Sequence, residues 1–202
     1  MSVKGSQPNP RGRGRTRRPR GSLTRDVILD AAESVAREGF GGLTVRAVAN
    51  QLDAVPMALY NHFATKDELV DALLDRVLSR FEPQPSTGDW AEDLRAFARA
   101  HRQVLVAHPW AVAPIFSRPN PGTSAVAIGD HAFGILARGG FTEDDAVAAF
   151  SGILALNYGW SSFTAARDLD ATGITGAQMG EYGSDRHYEL VLGHFLSGLR
   201  RD

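Results

Sequence analysis

The residues able to do chemistry crowd into one stretch. After Pro56, the side chains of Met57, Ala58, Tyr60, Asn61 and His62 offer a small, hydrogen-bonding surface rather than an apolar one. Leu59 and Phe63 between them keep a helical spacing and face the other way. Pro56 suits the first turn of a helix, since its missing amide would have no partner there. Donors of this kind, on one face of a short helix, address an extended polar partner rather than a reacting bond. Catalytic spacings are absent: the chain has no GxSxG, no HExxH and no phosphate loop. The one carboxylate cluster, Glu143-Asp144-Asp145, stands where it would cap a helix start. The reading is a binding protein, not an enzyme.

The short helix must be held by others. Thr44 is a good N-cap, and Val45, Val48, Ala49 and Leu52 follow at the i, i+3, i+4 spacing of a buried face. Two packed helices with a polar outer surface on the second predict a helix-turn-helix whose second helix enters the DNA major groove. A preceding helix is expected from about Thr24 to Glu38, burying Ile28, Ala31, Ala32 and Val35. Gly39 ends it, and Phe40 with Leu43 plugs a three-helix centre. A fourth helix is expected from Lys66 to about Phe81, broken by the EPQPSTGD segment.

The pattern stays helical beyond residue 89. Helices are expected over Trp90 to Ala107, Trp110 to Phe116, Ser124 to Ala137, Thr142 to Ala166 and Asp185 to Arg200. Arg118 to Gly122 reads as a loop, and Asp168 to Ser184 as a long one holding four glycines. No strand alternation and no repeat interrupt this, so the class is all-α. The expected organisation is an arm over 1–21, a helix-turn-helix DNA-binding domain over 22–68, and a larger helical domain over 69–202, to which the family resemblance given below assigns effector binding and dimerisation.

Bulk properties agree with that plan. The 202 residues hold ample apolar content and no cysteine, which excludes disulfides, thiolate metal sites and a cysteine nucleophile and fits a reducing cytoplasm. No apolar run reaches the ~18 residues of a membrane span, and the start lacks a secretion signal. The net charge is −1, yet residues 1–25 carry eight basic residues and no acidic one, leaving an acidic body. The arginine-rich arm is either a solvated tail or an extension that neutralises phosphates or lies in a minor groove.

These residues resemble the tetracycline-repressor family of bacterial transcriptional regulators. Ala31-Ala32, Gly39-Phe40, Leu43-Thr44, Leu59-Tyr60-Asn61-His62-Phe63 and Lys66-Asp67-Glu68-Leu69 carry the likeness in the first third. His108-Pro109-Trp110, Arg118-Pro119, Gly140-Phe141-Thr142 with Ala146, and Tyr188-Glu189 through Leu199 extend it. The resemblance implies that Arg46 reads a guanine, and an Arg fork suits O6 and N7 of that base; a solvated surface arginine is the alternative. It implies that Tyr60 and His62 contact the DNA backbone, although Tyr60 could be a partly buried core aromatic. Met57 and Ala58 would touch base edges, and Lys66 would share a phosphate with the first amides of its helix. The candidate DNA-binding residues are Thr44, Arg46, Pro56, Met57, Ala58, Tyr60, Asn61, His62 and Lys66. Two positions depart from the family pattern: Asp53 stands at the turn glycine, and Val55 at the polar cap before the second helix.

The resemblance further implies a ligand cavity in the C-terminal domain and a homodimer paired through its last two long helices, reading a near-palindromic double-stranded operator as a repressor. Metal-assisted tetracycline recognition does not carry over: the metal-binding histidine falls on Pro114, drug contacts fall near Ala96 and Ala100, and only Asp144 survives as a carboxylate. No metal and no cofactor are therefore expected. His101, Trp110, Phe116, Ser117, Asn157, Trp160 and Phe163 remain as candidate pocket residues for another small molecule, with core packing as the plainer account of each. An enzyme using the helical cavity and a non-specific architectural DNA binder led by the arm are the competing functions.

Overall fold

The structure, a computed structural model, describes residues 23–118, 122–169 and 183–199. The arginine-rich arm, the middle of the Arg118–Gly122 loop, most of the glycine-bearing 168–184 segment and Arg200 lie outside the described residues. Every regular element described is helical: α1 (Arg25–Glu38), a 3-10 turn (Phe40–Gly42), α2 (Val45–Gln51), α3 (Pro56–Tyr60), α4 (Lys66–Leu78), α5 (Trp90–Ala107), α6 (Pro109–Phe116), α7 (Thr123–Arg138), α8 (Glu143–Leu169) and α9 (Asp185–Gly198).

Capping explains most of the starts. The hydroxyls of Thr24, Thr44 and Thr65 accept the amides of Val27, Ala47 and Glu68 at 3.2, 3.0 and 3.0 Å. Asp89 accepts from Ala91 at 2.8 Å, and Thr142 from Asp145 at 3.2 Å. The third helix has no side-chain cap at Val55 and relies on Pro56 in its first turn. The turn before it passes through Asp53 at φ 57°, the only described non-glycine residue in the left-handed region.

Some boundaries differ from those expected. The fourth helix stops at Leu78, and α6 begins at Pro109, so that His108 alone separates it from α5. The eighth helix runs on to Leu169, three residues past the expected end, and takes Asp168 out of the loop. Phe40 does not plug the three-helix centre. It is half-buried and stacks on Trp110 of α6, with ring centroids 6.4 Å apart, while Leu43 fills the centre instead.

A continuous core joins the first helices to the rest. Ile28, Ala32, Leu43, Val48, Leu59, Phe63 and Leu69 are almost fully buried and form its first part; Leu94, Phe97, Leu105, Ile135, Ile153 and Leu192 belong to its far part. The fourth helix packs on α1, α6 and α7 and so belongs to both parts. The expected boundary at residue 68 falls one turn inside it. No described helix is long and apolar enough to cross a membrane.

Candidate nucleic-acid interface and ligand cavity

The short third helix is fastened from behind. Leu59 and Phe63 are buried at 2% exposure, and the Arg25 guanidinium lies 4.0 Å over the Phe63 ring. Arg25 also donates to the carbonyl of His62 and pairs with Glu68 at 3.0 Å. Glu68 in turn accepts the Ala64 amide at 2.7 Å, and these two bonds hold its carboxyl below its usual range, the amide contributing most. Thr65 caps Glu68 while Glu68 reaches back to Ala64, one residue before the cap, a variant of the capping box that locks the exit of α3 to the entry of α4.

With the back of the helix fixed, its front is open. Met57 is 70% exposed and Tyr60 44%; Pro56, Asn61 and Lys66 are exposed, and Ala58 and His62 half-exposed. Arg46 projects from the exposed side of α2. Thr44 spends its hydroxyl on the cap, although its side chain remains at the surface. The partly buried alternative for Tyr60 does not describe its environment. One side of the molecule therefore gathers donors and a guanidinium beside small residues, on helices held rigid by a common core.

The seven candidate pocket residues do not converge. His101 and Phe116 line a cavity of about 400 Å³ between α4, α5, α6, α7 and α8, together with Phe150, Ser151, Tyr158 and Arg118. Trp110 lines a different cavity, against the end of α1. Ser117 is exposed and bonds back to the Pro114 carbonyl at 3.0 Å. Phe163 is 40% exposed and stands edge-on to Trp160, whose indole N–H donates to the Ser184 carbonyl at 3.3 Å.

Asn157 is wholly buried, and its amide is consumed internally. Its Nδ2 donates to the Ala98 carbonyl at 2.9 Å, which fixes the orientation of the group, and Oδ1 accepts the Tyr188 hydroxyl at 2.7 Å. His101 Nδ1 lies 3.0 Å from the same Nδ2 and must accept from it, so the imidazole proton sits on Nε2. Burial pushes the His101 pKa down to about 4, which keeps the ring neutral at pH 7. Asn157 is therefore a support that turns His101 into a neutral donor at the cavity wall, rather than a contact for a ligand. Tyr158 stands edge-on to His101 at 5.7 Å and tilted to Phe116 at 5.4 Å, and burial raises its phenol to about 12.

Sequence reasoning missed Tyr158, Phe150, Ser151 and Arg118. Ser151, Leu154, Ala155 and Tyr158 share one face of α8 at helical spacing, a signal that the all-round apolarity of the helix masked. Arg118 ties the cavity to the head: its guanidinium bonds Asp71 and reaches Asp67 at 3.3 Å, both on α4. A second link was equally invisible. Glu33 of α1, only 6% exposed, accepts from Arg80 at 2.7 and 3.0 Å and from Arg37 at 2.7 Å, and the Arg80 bonds lower its pKa to about 2. Arg80 also donates to His108 Nε2, while His108 Nδ1 donates to the Val104 carbonyl at 2.8 Å. This cluster bolts α1 to the α5–α6 corner.

A helix-turn-helix unit with an open polar face, bolted to a helical body that carries a cavity, defines the class of helix-turn-helix proteins with a helical companion domain. Residues 28–73 match the model of the bacterial regulatory proteins of the tetR family, and residues 82–173 that of the tetracyclin repressor-like C-terminal domain. The chain is 32% identical over 148 residues to the class A tetracycline repressor from transposon 1721 of Escherichia coli, covering 72% of this chain and 68% of that one. The chain belongs to the TetR family of bacterial regulators. An HTH-type transcriptional regulator of Saccharopolyspora erythraea is 39% identical over 129 residues, 63% of this chain and 55% of the relative. The chain spans about half the length of the first curated relatives it matches. In fold it is similar to the TetR family protein ActR of Streptomyces coelicolor, solved in complex with actinorhodin, at a TM-score of 0.74 and 23% identity over 89% of this chain and 97% of that one.

Proposed function

We propose that the protein is a ligand-responsive transcriptional repressor that binds a near-palindromic operator as a homodimer and leaves it when a small molecule enters the body. It acts by binding rather than turnover, in the cytoplasm where its operator lies. One observation carries the reading: the open polar face of α3 is fastened through Glu68 to α4, and Arg118 at the cavity wall is bonded to Asp67 and Asp71 on that same helix. A ligand that displaces Arg118 or α6 would tilt α4, and with it the spacing of two paired heads.

In this reading Arg46 supplies a base contact. Tyr60, His62 and Lys66 hold the backbone, Met57 and Ala58 meet base edges, and Thr44, Pro56 and Asn61 complete the surface. The head comprises residues 22–68 and the body 69–202, with the 1–21 arm adding phosphate contacts. Val147 on α8 and Leu190 and Val191 on α9 are exposed in the single chain, which supports pairing through those helices. The cavity favours a flat, largely aromatic molecule with an acceptor for the His101 Nε2–H, set among Phe116, Phe150 and Tyr158.

Footprinting on the promoter region beside the gene tests this. The expected result is protection of one near-palindrome that Arg46→Ala weakens by about 10- to 100-fold, corresponding to about 1–3 kcal/mol for one bidentate base contact. Absence of any protected palindrome would overturn it. Deleting residues 1–20 should weaken binding and flatten its salt dependence while leaving the preferred sequence unchanged.

A further inference from the structure

The second cavity, about 620 Å³, shares no lining residue with the first. It lies where the head meets the body, bounded by Glu38 and Gly39 at the end of α1, Pro109 and Trp110 at the start of α6, and Ser161 and Ala165 of α8. Its size falls in the range of small-molecule sites.

Two of its walls carry polar atoms with nothing to bond. The Trp110 indole N–H and the Ser161 hydroxyl are buried and have no hydrogen-bond partner among the described residues. The serine is informative, because a helical hydroxyl can always fold back on the carbonyl four residues earlier. Ser162 does so to Tyr158 at 2.9 Å, and Thr164 to Trp160 at 3.0 Å. Ser161, 2% exposed and directly before them, does not. Buried polar groups are nearly always satisfied, and two orphans from different helices on one cavity mark a place where something else supplies the partner. The rim carries one charge of each sign, Arg37, which is bonded to Glu33 at 2.7 Å, and Glu38.

We propose that this cavity is a second ligand site, independent of the first, for a neutral and largely apolar molecule bearing a carbonyl or ether oxygen. Both groups are covered by packing in the empty site, and a ligand that parts this packing presents that oxygen to the Trp110 indole N–H, with the Ser161 hydroxyl turning to bond the same group or a neighbouring one. The site touches the end of α1 directly, next to the Glu33–Arg37–Arg80–His108 cluster.

The test uses the full chain and the neutral fluorescent ketone 6-propionyl-2-dimethylaminonaphthalene, whose emission responds to the surroundings of its carbonyl. The wild type should bind it saturably. Ala125→Trp, which fills the first cavity, should leave a saturable phase, and Ala165→Trp, which fills the second, should remove that phase. Ser161→Ala and Trp110→Phe should each weaken it by about 2- to 10-fold, the value of one hydrogen bond. Circular dichroism checks each fold, and Ser161→Ala carries the test if Ala165→Trp does not fold. Binding that Ala165→Trp leaves intact, that Ala125→Trp abolishes entirely, or that ignores both polar substitutions overturns the proposal, as does absence of binding to folded wild type. Footprinting on the same preparation separates the outcomes: operator protection without ketone binding removes this site alone, and ketone binding without protection removes the repressor reading alone.

Discussion

Replacing Asn157 by leucine keeps the number and branching of side-chain heavy atoms and deletes the hydrogen bonds, so the variant probes the polar network of the core. Two groups lose their partner, His101 Nδ1 and the Tyr188 hydroxyl, each on a residue at 1% exposure, while the Ala98 carbonyl gives up a second bond and keeps its helical one. An unsatisfied buried group costs about 1–3 kcal/mol, so two together cost about 2–6. Burying leucine in place of an amide returns about 1–2 of that, so a net loss of about 2–3 kcal/mol is expected. Tyr188→Phe removes one bond and strands only Asn157 Oδ1, and should lose about 1–2. The double variant no longer contains the stranded hydroxyl, so it should be more stable than the sum of the single losses by about 1 kcal/mol or more. Urea unfolding at one fixed protomer concentration measures all four proteins. A leucine variant within 1 kcal/mol of wild type, or strict additivity in the double, would refute the account of Asn157 as the keystone that α5, α8 and α9 share.

Other substitutions and pH separate further parts of the argument. His101 stays neutral in the fold down to about pH 4, whereas an unfolded imidazole takes its proton near 6.5. Stability should therefore be level above about pH 6.5 and fall by up to about 3 kcal/mol between 6.5 and 4. Glu33 acts in a lower window, its stabilisation being lost as pH falls from about 4.5 through about 2. A denaturation series that stays flat from pH 7 to 4 would contradict the buried neutral histidine. Asp53→Val puts a β-branched residue at φ 57° and should cost about 1–2 kcal/mol, with operator affinity falling alongside, as thermal unfolding and gel shift would show. A Cβ on Gly152 would lie 2.6 Å from the Phe195 ring, so Gly152→Val should separate α8 from α9 and lower the melting temperature more than Gly159→Val, where the space is open.

The head was legible because its information is local. Thr44, Pro56 and the Leu59/Phe63 spacing each act within one or two turns, and the departures at Asp53 and Val55 took the forms their chemistry demands: a left-handed turn and an uncapped helix start. The same local logic contained the Thr65 cap with its return bond from Glu68 to Ala64, and the shared face of Ser151 and Tyr158, which went unread. Phe40 was misplaced because its partner, Trp110, lies seventy residues away and no spacing rule reaches that far.

Sequence by itself determined the helices, the caps at Thr44 and Thr142 and the polar front of α3, since each depends on residue type and on neighbours within a turn. Only the tertiary structure decided what the buried polar residues are for. Asn157 turned inward to orient His101, Arg118 and Arg80 became ties to α4 and α1, and Trp110 and Ser161 were left without partners on a cavity of their own. The physical reason is that a buried polar group is defined by the one partner it finds, and that partner is chosen by packing between helices distant in sequence.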